Sequence, residues 1–187
     1  DAERTIRMLA KTNDIVFATS FGYMEQMLNV AKKFPDVKFE HATGYKTAPN
    51  MAVYSSKFYE GRYIQGVIAG MMSKEGKAGY IASFPIPEVT APLQIAQNKG
   101  VLAFGQASDM HHFAPDSQMT AIIDQWGPYY VERVMAVIDG TWESADTWGG
   151  MDTGMVEMAP YDNIPDNVKQ IALNLENAIR SGEFDPF

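Results

Sequence analysis

Short continuous apolar runs along this chain alternate with stretches in which apolar residues recur every three or four positions. The first pattern suits a strand buried on both faces and the second an amphipathic helix. Residues 1–11 carry Ile6, Leu9 and Ala10 at helical spacing, and 15–19 (IVFAT) predicts a strand. Helical spacing returns over 22–33 through Met24, Met27, Leu28 and Ala31, followed by a second strand over 37–42. The clearest helix covers 57–72, with Tyr59, Tyr63, Val67 and Met71 at helical intervals. Gly66 and Gly70 lower its propensity and predict close packing against a neighbouring element. A strand over 79–84 runs into Pro85-Ile86-Pro87, and a helix over 93–98 ends at Gly100. Strands are predicted over 101–105 and 119–123, a helix over 129–139 stopped by Gly140, and a last helix over 167–180. Asp146 to Gly150 reads most simply as a turn.

Repeated strand–helix alternation predicts an α/β fold with a mostly parallel sheet and helices on its faces. Ligands of such sheets bind beyond the carboxyl ends of the strands, so the strand tails are where function is sought. Four tails stand out: Ser20-Phe21-Gly22-Tyr23, Phe84-Pro85-Ile86-Pro87, Gln106-Ala107-Ser108-Asp109 and Asp124-Gln125-Trp126-Gly127. None carries a phosphate-binding glycine loop, and the chain has no GxSxG elbow or HExxH pair. Aromatic rings and neutral polar groups dominate instead, a lining that suits a planar, uncharged, hydrogen-bonding ligand. Each feature also has a plainer role. Phe21, Phe84 and Trp126 fit a packing role, and Asp109 fits a turn or cap. His111-His112 fits a solvated or capping pair better than a metal site, because adjacent side chains diverge and no third ligand is evident. The 12 methionines fall at helical core spacing as gap-fillers.

Composition narrows the choice. With 187 residues the chain suits one large domain or two small lobes. A hydrophobic share of 46% with 20% charged residues excludes a disordered chain. The net charge of −8 argues against a nucleic-acid partner, which calls for a basic stripe. There is no cysteine, which excludes thiol catalysis, disulfides and Cys-ligated zinc. No run approaches the ~20 apolar residues of a membrane-spanning helix.

Six stretches together resemble the BMP family of basic-membrane-protein-type lipoproteins, which includes the purine nucleoside receptor of spirochaetes. They are TSFGYM (19–24), FPDVKFEHATGY (34–45), YEGRY (59–63), FPIPEV (84–89), GQASDM (105–110) and DQWGPYY (124–130). They follow the family's order over nearly the whole chain. The resemblance implies a type I periplasmic-binding fold, with two Rossmann-like lobes and a hinge, closing on ligand at a cleft. On that pattern 1–54 with 126–146 form the first lobe and 55–125 with 147–187 the second. Phe21 and Phe84 are then aromatic stackers from opposite lobes. Asp109 is the carboxylate for ligand hydroxyl or amine protons, and Asp124 to Trp126 lie at the hinge. Ser20 and Gln106 complete the expected ligand-binding set. The chain departs from the family at two places: an initial strand–helix–strand is missing, and about two βαβ units of ~30 residues each are missing between Val89 and Thr90. A partial sequence with joined ends is expected there, with a truncated variant as the alternative.

The function this implies is capture of a purine nucleoside or base and delivery to an ABC permease in the inner membrane. A monomer at the periplasm, or lipid-anchored at the outer face of the cytoplasmic membrane, is expected, with no cofactor, metal or catalytic residue. Alternatives are a sensor domain of the same fold, a binder of another flat ligand such as a flavin, and a nucleoside hydrolase using Asp109 and a histidine. The hydrolase is disfavoured because metal-assisted hydrolysis needs a ligand cluster that the sequence lacks.

Overall fold

Parallel pairing organises most of the strands. The structure is a computed structural model that describes residues 1–79 and 90–187. In chain order its elements begin with α1 (Ala2–Ala10), β1 (Ile15–Ala18), α2 (Met24–Ala31), β2 (Lys38–Ala42), β3 (Met51–Ser56) and α3 (Tyr59–Met72). They continue with α4 (Thr90–Lys99), β4 (Ala103–Gly105), β5 (Gln118–Asp124), α5 (Trp126–Ile138), β6 (Asp146–Gly149), β7 (Val156–Met158) and α6 (Asp166–Arg180). The chain divides into two compact units, Asp1–Ser56 with Trp126–Gly149, and Lys57–Gln125 with Gly150–Phe187. It therefore passes from one unit to the other three times.

The first unit holds a four-stranded sheet in the order β1-β2-β3-β6, all parallel. The two central strands, β2 and β3, are nearly continuous in buried residues, as parallel strands covered on both faces require. On one side α1 and α2 bury Ile6, Ala10, Met27, Val30 and Ala31 against Val16, Phe39 and Met51. Asp1 caps α1 by accepting the Arg4 N–H, and Glu3 and Arg7 form an i,i+4 ion pair. Deeper in this unit lies a polar knot. The fully buried Glu40 accepts from Tyr129 Oη (2.9 Å), Arg133 Nε (2.5 Å) and Trp142 Nε1 (2.7 Å). Burial, reinforced by this carboxylate, pushes the Tyr129 hydroxyl well above its ordinary value.

The second unit has a three-stranded sheet, β4-β5-β7, in which β4 runs parallel and β7 antiparallel to β5. Its core is apolar, built from Ile64, Ile68, Met119, Ile122, Val156, Val168, Ala172 and Ile179. Helices α3 and α6 supply one layer of it.

Several sequence expectations need correction. Three strands were unforeseen. β3 (MAVYSS) has a single β-branched residue, β7 is three residues long, and β6 occupies the stretch read as a turn. Pairing with a neighbouring strand, parallel for β3 and β6 and antiparallel for β7, overrides local preference in each. Helix α5 begins at Trp126 rather than 129, with Pro128 in its first turn, where a missing N–H costs nothing. The buried face of α3 is Glu60, Gly61, Ile64, Gln65 and Ile68, whereas Tyr63 and Met71 are exposed. Gly66 and Gly70 face open space among the described residues; the close approach is at Gly61, where a Cβ would lie 2.7 Å from Ile122 Cγ1. Gly100 and Gly140 do end their helices, with φ of +62° and +71°. The strand expected over 79–84 and the chain break expected at Val89–Thr90 involve positions outside the described residues.

Candidate functional site

In the first unit the carboxyl ends of β1 and β2 lead into short loops that carry exposed rings. β1 ends two residues before Ser20, whose backbone is extended, and Phe21 opens a single 3-10 turn ahead of α2. Phe21 is 49% exposed. β2 ends at Ala42 and leads through Thr43 and Gly44 to Tyr45, 65% exposed. The two rings meet, with centroids 6.2 Å apart and planes 38° apart. β6 delivers Trp148, 53% exposed, whose Nε1 donates to the Ser56 carbonyl at the end of β3 (3.3 Å).

His41, in β2, lies fully buried beneath these loops. Its Nε2–H donates to the Ser20 carbonyl (2.8 Å), which assigns the proton to that nitrogen. Burial holds its pKa below the ordinary histidine value, partly offset by the Ser20 contact, so the ring is neutral near pH 7. The other nitrogen, Nδ1, has no partner among the described residues and faces Gly44, where a Cβ would lie 2.1 Å from it. Only glycine lets the loop close over the ring.

Trp126 is half-buried at the start of α5, and its ring meets the edge of Tyr54 at 5.2 Å. Tyr54 in turn contacts Tyr129 (4.7 Å) and Tyr130 (5.7 Å), and Tyr130 contacts Phe17 (4.8 Å). Trp126 is thus one rim of an aromatic nest. Burial pushes the Tyr54 hydroxyl far above its ordinary value, reinforced by its bond to Tyr130 Oη (2.9 Å).

In the second unit β4 ends at Gly105, followed by half-buried Gln106 and by Ala107 at φ +67°. A non-glycine residue in the left-handed region is uncommon and marks a constrained turn. The Ala107 carbonyl accepts the Asp124 N–H (3.2 Å), tying the tails of β4 and β5 together. Asp109 is exposed, and its Oδ1 accepts the His111 N–H (3.0 Å) and Gln118 Nε2 (2.7 Å). That is the turn role, yet Oδ2 has no partner among the described residues. Gln125 donates to Glu157 (2.8 Å) and its backbone N–H to the Met155 carbonyl (3.0 Å), bracing the segment before the second passage between units. His111 Nδ1 lies 3.8 Å from Asp162 and the His112 ring rests 3.8 Å from that of Phe113.

Of the residues singled out in the sequence, Ser20, Phe21 and Trp126 belong to the first unit and Gln106 and Asp109 to the second. Phe84 lies outside the described residues. The sequence reading passed over His41, Tyr45, Trp148 and Gln118. Tyr45 follows the strand predicted over 37–42, but its exposure and its contact with Phe21 are tertiary properties. Trp148 was hidden because its strand was read as a turn. No pattern marks His41 or Gln118, whose roles depend on burial.

Residues 1–107 match the family described as Bmp, ABC transporter substrate-binding protein PnrA-like. The chain is 47% identical, over 243 aligned positions, to a purine-binding protein of Brucella abortus (strain 2308), covering 100% of this chain and 69% of that protein. It is 28% identical over 242 positions to a Haloferax volcanii protein named as an ABC transporter glucose-binding protein, with 99% and 62% covered. Both alignments are longer than the 187 residues here, so both relatives carry residues within the match that have no counterpart in this chain. Among solved structures it resembles a transcriptional activator of the comK gene from Bacillus halodurans, with a TM-score of 0.85 at 18% identity over 100% of this chain and 85% of that one. It also resembles an ABC transporter solute-binding protein of Aeropyrum pernix K1, with a TM-score of 0.73 at 13% identity and 98% and 80% covered. These likenesses show the type I periplasmic-binding fold. The chain belongs to the Bmp family of PnrA-like substrate-binding proteins of ABC transporters.

Proposed function

We propose that this protein captures a purine nucleoside or free purine outside the cytoplasm and delivers it to an ABC permease. The observation that carries the reading is the 47% identity, over the whole chain, to a purine-binding protein. The strand tails agree with it: exposed or half-exposed rings at Phe21 and Trp126 suit a flat heterocycle, and Asp109 Oδ2 is free to accept from a ligand hydroxyl or amine. Ser20 and Gln106 add neutral hydrogen-bonding groups, and Phe84 completes the set as a second stacking ring on the family resemblance. Binding works by population shift. Ligand contacting both lobes favours the closed state by its extra contacts there, and the three chain passages act as the hinge. The permease then reads the closed form.

In this reading the protein acts as a monomer, periplasmic or lipid-anchored at the outer face of the cytoplasmic membrane, and performs no chemistry. Among the described residues no helix is long and apolar enough to cross a membrane. The relatives' longer alignments support a stretch that they carry and this chain lacks; its place near Val89–Thr90 rests on the family resemblance.

Calorimetric titration with adenosine, inosine, adenine, glucose and riboflavin tests the function. A purine should bind, and Phe21→Ala and Phe84→Ala should each weaken it about 5- to 150-fold, the worth of one stacked ring. Binding of glucose or riboflavin with no purine titrating would replace the ligand assignment. Turnover of a nucleoside would replace the transport reading with a hydrolase.

A further inference from the structure

We propose that Tyr45 is a ligand-contacting residue, forming with Phe21 a two-ring platform in the first unit. The inference rests on the reading of Phe21 as a ligand stacker and extends the site to the end of the motif 34–45, to which no ligand role was assigned from the sequence.

Three observations carry it. Tyr45 follows the carboxyl end of β2, which lies beside β1 in parallel register, so its loop and that of Phe21 leave the same edge of the sheet. Both rings are exposed, at 65% and 49%, and yet they contact each other. Single exposed apolar residues are ordinary, but adjoining exposed rings at the ligand-binding end of a parallel sheet form an apolar patch of the kind that marks binding sites. One six-membered ring covers only part of a bicyclic heterocycle, and a second ring beside it extends the apolar surface. The phenol also supplies a polar tip that can donate or accept.

The third observation is that the loop is held, not free. The Thr43 N–H donates to the Tyr54 carbonyl (2.7 Å), and the Tyr45 N–H points to Met24 Sδ (3.4 Å). Lys46 is ion-paired to Glu25 and sits 5.9 Å from the Tyr45 ring centre. His41 bridges the two loops from below, donating to Ser20 on one side and seating Gly44 on the other. Thr43 adopts φ +61°, which a β-branched residue rarely does. Strain of this sort persists where surrounding contacts over-determine it, and it collects at ligand clamps. A platform fixed before ligand arrives loses less entropy on binding.

The test is calorimetric titration of the full-length protein and its Tyr45→Ala, Tyr45→Phe and Tyr63→Ala variants with adenosine, inosine, adenine, glucose and riboflavin. Tyr63 is a control in the second unit, partly exposed and resting on Phe184 (5.3 Å). Tyr45→Ala should weaken the ligand that binds by about 5- to 150-fold, with Tyr45→Phe within a few-fold of the parent and Tyr63→Ala unchanged. Thermal unfolding of Tyr45→Ala should match the parent, as its ring is exposed. If glucose or riboflavin binds and no purine does, the purine assignment fails, and the same variant series on that ligand still decides the role of Tyr45. Unchanged affinity in Tyr45→Ala, or no binding of any of the five by the parent, would overturn the platform.

Discussion

The two units solve the problem of burying a sheet in different ways. The first threads charge and polarity through its interior: Glu40 sits fully buried among Arg133, Tyr129 and Trp142, and Asn50 donates to the carbonyls of Ala31, Phe34 and Val37 at 2.9–3.1 Å. The second also buries Glu60, Gln65, Ser117, Gln118 and Thr120, but these are spread around an aliphatic core. Three of them bond singly to backbone groups: Glu60 accepts the Met151 N–H (2.7 Å), Gln65 donates to the Gly105 carbonyl (3.2 Å) and Thr120 to that of Ala159 (2.7 Å). A satisfied polar network imposes geometry, because each member has fixed donors and acceptors, whereas an aliphatic core tolerates exchange so long as volume is kept. The first unit is also where two exposed rings are held in a set arrangement above a buried histidine. The contrast suggests that the first unit is built for fixed loop geometry and the second for close packing.

The sharpest way to break this contrast is Arg133→Ala. It leaves Glu40 buried with Tyr129 and Trp142 but without its cation, and breaking a buried ion pair in this way costs about 3–5 kcal/mol. Urea unfolding should show that loss, and a loss below ~1 kcal/mol would mean that water reaches Glu40 and that the network is not the determinant described.

A smaller effect is expected at Gly61 in the second unit. Replacing glycine by alanine inside a helix ordinarily stabilises by roughly 0.5–1 kcal/mol. At Gly61 the new Cβ would meet Ile122 Cγ1 at 2.7 Å and Met158 Sδ at 3.1 Å, so overpacking should reverse the sign and cost ~1–3 kcal/mol. Gly66→Ala, in open space among the described residues, serves as the reference and should stabilise. Thermal unfolding of the two variants gives the comparison directly, and equal shifts would show that α3 is not seated on β5 as described.

The smallest effects are pH-dependent, and they run in opposite senses. Burial lowers the His41 pKa below the unfolded value of 6.5, so stability present above that value is lost as pH falls through the folded pKa. Burial raises the Glu60 pKa above the unfolded value of 4.5, partly opposed by its bond to the Met151 N–H. Its contribution is therefore full below the unfolded value and is lost as pH rises through the folded pKa. His41→Gln should flatten the acid side of the stability profile. Glu60→Gln keeps a carbonyl acceptor for Met151, and should raise stability at neutral pH by an amount that vanishes towards pH 4. A profile unaltered in either variant would remove that residue from the account.

Much of this molecule was legible before any coordinates. The segment 15–19 read as a buried strand because a continuous apolar run is what a doubly covered parallel strand requires, and alternation of strands with helices fixed the α/β class. The family was legible as well, because its motifs are local in sequence. Phe21 and Trp126 were noticed because a general rule about strand tails points to them. What needed the tertiary structure were properties that depend on partners distant in the chain. β3 and β6 are strands because they pair with neighbours, not because MAVYSS or DTWG prefers to extend. The buried face of α3 follows from contact between Gly61 and Ile122, which no helical periodicity of aromatics discloses. The cation that pairs with Glu40 lies 93 residues away and the carbonyl that accepts from His41 21 residues away, and the protonation state of each buried group depends on such partners. Tyr45 stands at the same limit: the chain places it after a strand, but only parallel register between β1 and β2 brings its ring to Phe21. Local pattern specifies elements and family, while contact and burial, which are non-local, decide what each side chain does.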